Sequence, residues 1–210
     1  MKKTSKALLL MLCAVLLVAA SVLGTMAYLT STDTVTNTFT VGNVKITLDE
    51  KDVDNDNNTS DNVTVNGVVR DKANSYKLLP GHTYTKDPVI RVDANSEDCY
   101  LFVKVANEIT AIESTEEGKS VAAQMAAKGW DAVEGQIGLY VKMKDGAPEV
   151  VNGGTNVSVF DEFTVAGTVN NTTLASYANK TITVNAYAIQ ADGFDGKTAS
   201  QIWTASGFGA

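Results

Sequence analysis

Apolar and polar residues alternate along most of this chain with a period of two, the spacing of a strand that buries one face. In TFTVGNVKITL, residues 38–48, Phe39 and Val41 share a face, and so do Val44, Ile46 and Leu48, with the phase slipping at Gly42-Asn43. A two-residue hairpin turn there would pair Val41 with Val44 and Phe39 with Ile46; a bulge in one continuous strand is the alternative. The same alternation predicts strands at 63–69, 83–92, 100–107, 137–144, 157–165 and 181–190. Pro80-Gly81 suits the centre of a type II turn, because Pro presets φ and Gly accepts a positive one. Asp145-Gly146 and Asn152-Gly153-Gly154 read as turns too.

Helical spacing interrupts the strands twice. In STEEGKSVAAQMAAKGW, residues 114–130, Ser114 stands as N-cap with Glu117 three residues on, and Gly129 as the stop. Val121, Ala122, Met125 and Ala126 are expected to form its apolar face, with Trp130 packed beneath its exit. A second, short helix near residues 198–204 carries Ile202 and Trp203. Many strands and few helices predict a mainly β fold: an antiparallel β-sandwich, covered by one or two short helices. The run DEKDVDNDNNTSDN, residues 49–62, is polar except for Val53 and is expected to be a surface loop.

The first residues follow another rule. Lys2, Lys3 and Lys6 precede 17 uncharged residues, Ala7 to Leu23, and Thr25-Met26-Ala27 places small residues where a signal peptidase reads. This predicts a signal peptide over residues 1–27, cut before Tyr28, and a single domain over residues 28–210. An uncleaved anchor is the rival reading of the same apolar run. Removing three Lys from the 17 Lys and Arg leaves 14 against 24 Asp and Glu, a net charge of −10. Nucleic acid and anionic membrane surfaces, which require a positive footprint, are thereby disfavoured as partners. Cys99 is the single cysteine left after Cys13 departs, so no intramolecular disulfide is expected and stability must rely on packing or assembly despite the exported context.

Candidate chemistry is sparse. Asp52, Asp54 and Asp56 have the D-x-D-x-D opening of a calcium loop, but Asn57 stands where the motif needs Gly and Val63 where it needs Glu. His82 is the only histidine, so any Ser or Cys nucleophile, Cys99 included, would have to share it as base. No zinc-protease motif, nucleophile elbow or phosphate loop is present. Tyr76, Tyr84, Tyr100 and Tyr140 fall in strand alternation, where packing is the ordinary use.

The junction GTMAYLTSTDTVTNTFTVGNVKITL, residues 24–48, resembles the N-terminus of the TasA/camelysin family, exported proteins of Gram-positive bacteria. The shared features are a small-residue cleavage site, an aromatic at the first mature position (Tyr28), a polar Thr/Asp stretch and then F-x-x-G. LLPGHTYTKDPVIRV followed by CYLFVKV, within residues 78–105, is similar to the family's L-x-P-G turn and the strands after it. The resemblance implies a cut between Ala27 and Tyr28 by a SipW-type signal peptidase that reads Thr25 and Ala27, a jelly-roll-like sandwich and a place in the extracellular matrix or on the cell surface. It also implies fibres in which the N-terminal strand of one subunit, itself or a homologue, completes the sheet of the next. Tyr28, Leu29, Val35, Phe39 and Val41 are the expected assembly residues. A camelysin-like metal-dependent peptidase and a monomeric binding module are the alternatives. No catalytic residue carries over, and calcium at Asp52, Asp54 and Asp56 is the only cofactor expectation.

Overall fold

The computed structural model describes residues 6, 8, 10–18, 43–54 and 62–208. Two compact units divide at residue 41, Met1–Val41 and Gly42–Ala210. In the first, residues 10–18 are helical (α1), and no helix among the described residues is long and apolar enough to cross a membrane. The expected cleavage residues Thr25, Ala27 and Tyr28, the assembly residues Leu29, Val35, Phe39 and Val41, and Asp56 lie outside the described residues.

The second unit is an antiparallel β-sandwich. Its strands are β1 (Ile46–Lys51), β2 (Val63–Val65), β3 (Val68–Asp71), β4 (Thr83–Thr85), β5 (Val89–Val92), β6 (Cys99–Asn107) and β7 (Trp130–Ala132). They continue with β8 (Leu139–Lys144), β9 (Ala147–Pro148), β10 (Val150–Val151), β11 (Asn156–Ser158), β12 (Glu162–Thr164) and β13 (Ile182–Gln190). One sheet runs β11-β5-β1-β3-β2. The other is built on β6, which pairs with β13 along its whole length on one side and with β8 and β10 on the other; β7 and β9 pair with β8. A two-stranded ribbon, β4-β12, completes the set.

The core explains the order of layers. Ile90 and Val92 of the first sheet meet Cys99, Leu101 and Val103 of β6, with Trp130 and Phe163 filling the same cluster. On the far face of β6, Tyr100 and Phe102 join Leu139, Val141 and Ile189 beneath Ile202 and Trp203 of the C-terminal helix α4 (Ala199–Ser206). Both faces of β6 are therefore covered, which is why CYLFV, residues 99–103, abandons alternation. The reciprocal bonds of Thr198 and Gln201 cap α4, and Gly207 closes it in the left-handed region.

Several expected elements divide. Residues 63–69 form a hairpin rather than one strand, because Asn66 and Gly67 take φ of 51° and 79° and reverse the chain between β2 and β3. Residues 83–92 split at Asp87-Pro88, where Pro cannot donate to a ladder. Residues 157–165 split into β11 and β12 around Val159 and Phe160, both fully buried. Ile137 lies outside β8 and is 97% exposed. The first body helix, α2 (Val121–Ala127), starts later than expected: Ser120 is its N-cap, accepting from Ala123 N, while Ser114 Oγ caps a preceding turn at Glu116 N. Only Val121 and Met125 of its expected apolar face are buried, since Ala122 and Ala126 turn outward. Trp130 is buried and donates to Ser158 O. A third short helix, α3 (Asn171–Ala175), had no expected counterpart.

Candidate functional site

Within a strand, the N–H and C=O of one residue point to the same side and the side alternates along the chain. For β13, Glu108 N–H donates to Thr181 O at one end and Ala191 N–H to Asp98 O at the other. Odd-numbered residues of β13 therefore bond β6, and Ile182, Val184, Ala186, Ala188 and Gln190 turn their backbone groups to the outer edge. No described residue pairs with that edge. The same logic applies to β1. Asp93 N–H donates to Lys45 O on the β5 side, and Glu50 and Lys51 pair with β3 on the other. Ile46 and Leu48 are left facing outward without a pairing strand among the described residues.

These two edges border one groove of about 1120 Å³. Ile46 and Leu48 line one lip, Ile182 and Val184 the other, and Leu174 and Tyr177 make an end wall. All six pack against the main core yet are only partly buried. A fully closed sandwich would cover such inward-facing residues. The end wall comes from α3 and the turn after it. Asn170 caps α3 by accepting from Thr173 N, and the Glu108 carboxylate accepts from Lys180 Nζ, Thr181 N and Thr181 Oγ1, which fixes the start of β13.

The other end of the groove is charged but internally paired. Glu50, 5% exposed, accepts from Lys86 Nζ at 2.7 Å and from Asn74 Nδ2 at 3.0 Å. Behind it, Asp49 lies between two guanidiniums, bonded to Arg70 Nε and, at 2.9 Å, to Arg91 Nε, while Arg70 also reaches Asp87. Burial pushes the Asp49 carboxyl up, and the bonds from Arg91 and Arg70 more than offset it, holding the carboxyl below its ordinary range. Tyr76, at the same end, has its hydroxyl pushed well above the ordinary range by burial first and the Glu50 charge second. It donates to Thr85 O and packs on Phe163 with ring centroids 5.2 Å apart.

The stretch expected as a surface loop at 49–62 begins as strand. Asp49, Glu50 and Lys51 belong to β1, where Arg70 of β3 and Arg91 of β5 pair with Asp49 and Lys86, just before β5, pairs with Glu50. Asp52 and Asp54 go to different partners: Asp52 Oδ2 accepts from Asn62 Nδ2 at 3.3 Å, and Asp54 Oδ2 from Ser75 N at 2.5 Å. No three His, Cys, Asp or Glu among the described residues are grouped to hold a metal ion. His82 is exposed, its Nδ1 3.1 Å from Pro80 O, whereas Cys99 is fully buried and its thiol is pushed up to about 11, by burial and then by Asp98. Tyr84 stacks on Phe163 and Tyr100 is buried, so the tyrosines serve packing.

No protein-family model matches the chain, and no curated protein or solved structure matches it.

Proposed function

We propose that this is an exported structural protein of the bacterial surface or biofilm matrix, assembling head to tail as the N-terminal segment of one copy lies in the groove of the next. The observation that supports this most is the groove itself, where two strand edges and a set of half-buried inward-facing apolar residues have no covering strand among the described residues. The segment after the signal suits that place. From Tyr28 to Val41 it has no Gly or Pro, Thr stands at every even position from 30 to 40, and Leu29, Val35, Phe39 and Val41 all fall at odd positions. As a strand it shows one Thr face and one face carrying four apolar side chains. Added strands gain affinity from main-chain bonds and selectivity from alternate side chains. A head-to-tail contact that does not close propagates as a fibre. Signal cleavage would act as the switch, since a tethered N-terminus cannot enter a neighbour.

Electron microscopy of the chain beginning at Tyr28, beside one beginning at Thr38, tests the reading. Filaments are expected from the first and none from the second. If both stay monomeric, the protein is instead a surface binding module.

A further inference from the structure

We infer that β13 is the rail to which the incoming segment of a second copy bonds, with β1 serving only as the opposite lip. This rests on the assembly reading above and assigns the surface it requires. Three observations favour β13. Its outer edge, unpaired among the described residues, presents five residues, Ile182, Val184, Ala186, Ala188 and Gln190, against two, Ile46 and Leu48, on β1, where β3 takes over from Glu50. It is regular: all nine residues pair one-to-one with β6, without a bulge. It also lacks the usual safeguards of an exposed edge, because ITVNAYAIQ contains no Pro, Gly or charged residue.

The occupant follows from the chain outside the described body. Residues 28–41 carry one charge, Asp33, so a joint between this segment and uncharged β13 brings little like-charge repulsion to two copies of an acidic chain. The segment is fourteen residues long and can cover the full edge of β13, whereas β1 offers it two residues. Fold-back of a chain's own segment is geometrically different. It leads into Asn43, whose carbonyl accepts from Glu97 N just before β1, and a hairpin at Gly42-Asn43 would lay the segment along Ile46 and Leu48. Pairing in trans and folding back in cis therefore protect different amides. In trans these are Ile182, Val184, Ala186, Ala188 and Gln190; in cis they are Ile46 and Leu48.

The test uses the chain beginning at Tyr28, with Ala186→Pro and Leu48→Pro variants. Proline at either position removes an outward N–H that bonds nothing among the described residues, so cooperative unfolding should persist in both. Ala186→Pro is expected to abolish filaments, and Leu48→Pro to retain them. Filaments from Ala186→Pro would overturn the assignment while leaving strand addition intact. Residue-resolved hydrogen exchange on the parent chain gives the answer even if a variant fails to fold. Protection of the even-numbered β13 amides on assembly, or on addition of a synthetic peptide of residues 28–41, supports the rail. Protection at Ile46 and Leu48 instead transfers the role to β1. A parent chain that neither polymerises nor gains protection at either edge overturns both this inference and the reading beneath it.

Discussion

At the scale of single residues, two carboxylates, one half-buried and one buried, carry opposite charge logic. Asp49, its side chain 12% exposed, is held below the ordinary range by Arg91 and Arg70 despite its burial. Its contribution to stability is thus present above the unfolded value near 3.8 and lost as pH falls through the lower, folded one. Asp49→Asn strips both arginines of their shared partner and should cost about 3 kcal/mol in urea unfolding at pH 7, with a shallower acid limb below pH 4. Glu113 is the reverse. Burial pushes its carboxyl up, and bonds from Asn107 and Val121 N only partly oppose this. With the folded value raised above 4.5, its contribution is complete below that pH and lost as pH rises through the folded value. Glu113→Gln keeps an acceptor for Val121 N. Its stability relative to the parent should therefore rise between pH 4 and pH 7, measured by paired urea titrations.

At the scale of elements, turn geometry decides how the strands are cut. Gly138 introduces β8 at φ +71°, its carbonyl accepting from Val105 N at 2.8 Å, and an added Cβ would stand 2.8 Å from Val105 O. Gly193 has a similar φ of +84° with nothing within 4 Å. Gly138→Ala should therefore destabilise by more than about 1 kcal/mol and by more than Gly193→Ala, because a backbone clash adds to the shared conformational cost. Thermal unfolding of the two variants checks the difference. The same local chemistry marks where the sequence was readable. Alternation identified β13 and the later part of β6, residues 103–107, and Pro80-Gly81 forms the expected turn, with His82 N bonded to Leu79 O and Gly81 at φ +75°. It misjudged 63–69 because Asn66-Gly67 sits inside an otherwise unbroken Val/Thr pattern, and it missed α3 because five residues hold too little periodicity to register. The polarity of residues 49–51 suggested a loop because the arginine and lysine partners of Asp49 and Glu50 lie 21 to 42 positions away. The groove was not legible at all. Whether an alternating strand is central or marginal depends on which neighbours it acquires, and ITVNAYAIQ would read the same in either place.

At the scale of the whole molecule, the described residues leave one side of the sandwich core half covered, and that has a thermodynamic consequence independent of fibres. Ile46, Leu48, Ile182 and Val184 are partly buried at the groove. Each further 100 Å² of apolar area covered there contributes about 2.5 kcal/mol. A ligand that binds only the folded body stabilises it by mass action, about 2.7 kcal/mol at a hundred times its Kd. For the body, Gly42–Ala210, that corresponds to a rise in Tm of roughly 5–10 °C. A synthetic peptide of residues 28–41 should produce such a rise in the isolated body. A peptide of the same composition with Leu29, Val35, Phe39 and Val41 redistributed over both faces should give less, because alternate side chains would no longer reach the groove together. Equal shifts from the two peptides, measured by calorimetry, would mean that main-chain bonding alone binds the segment. No shift from either would mean that the half-covered core does not take up this segment.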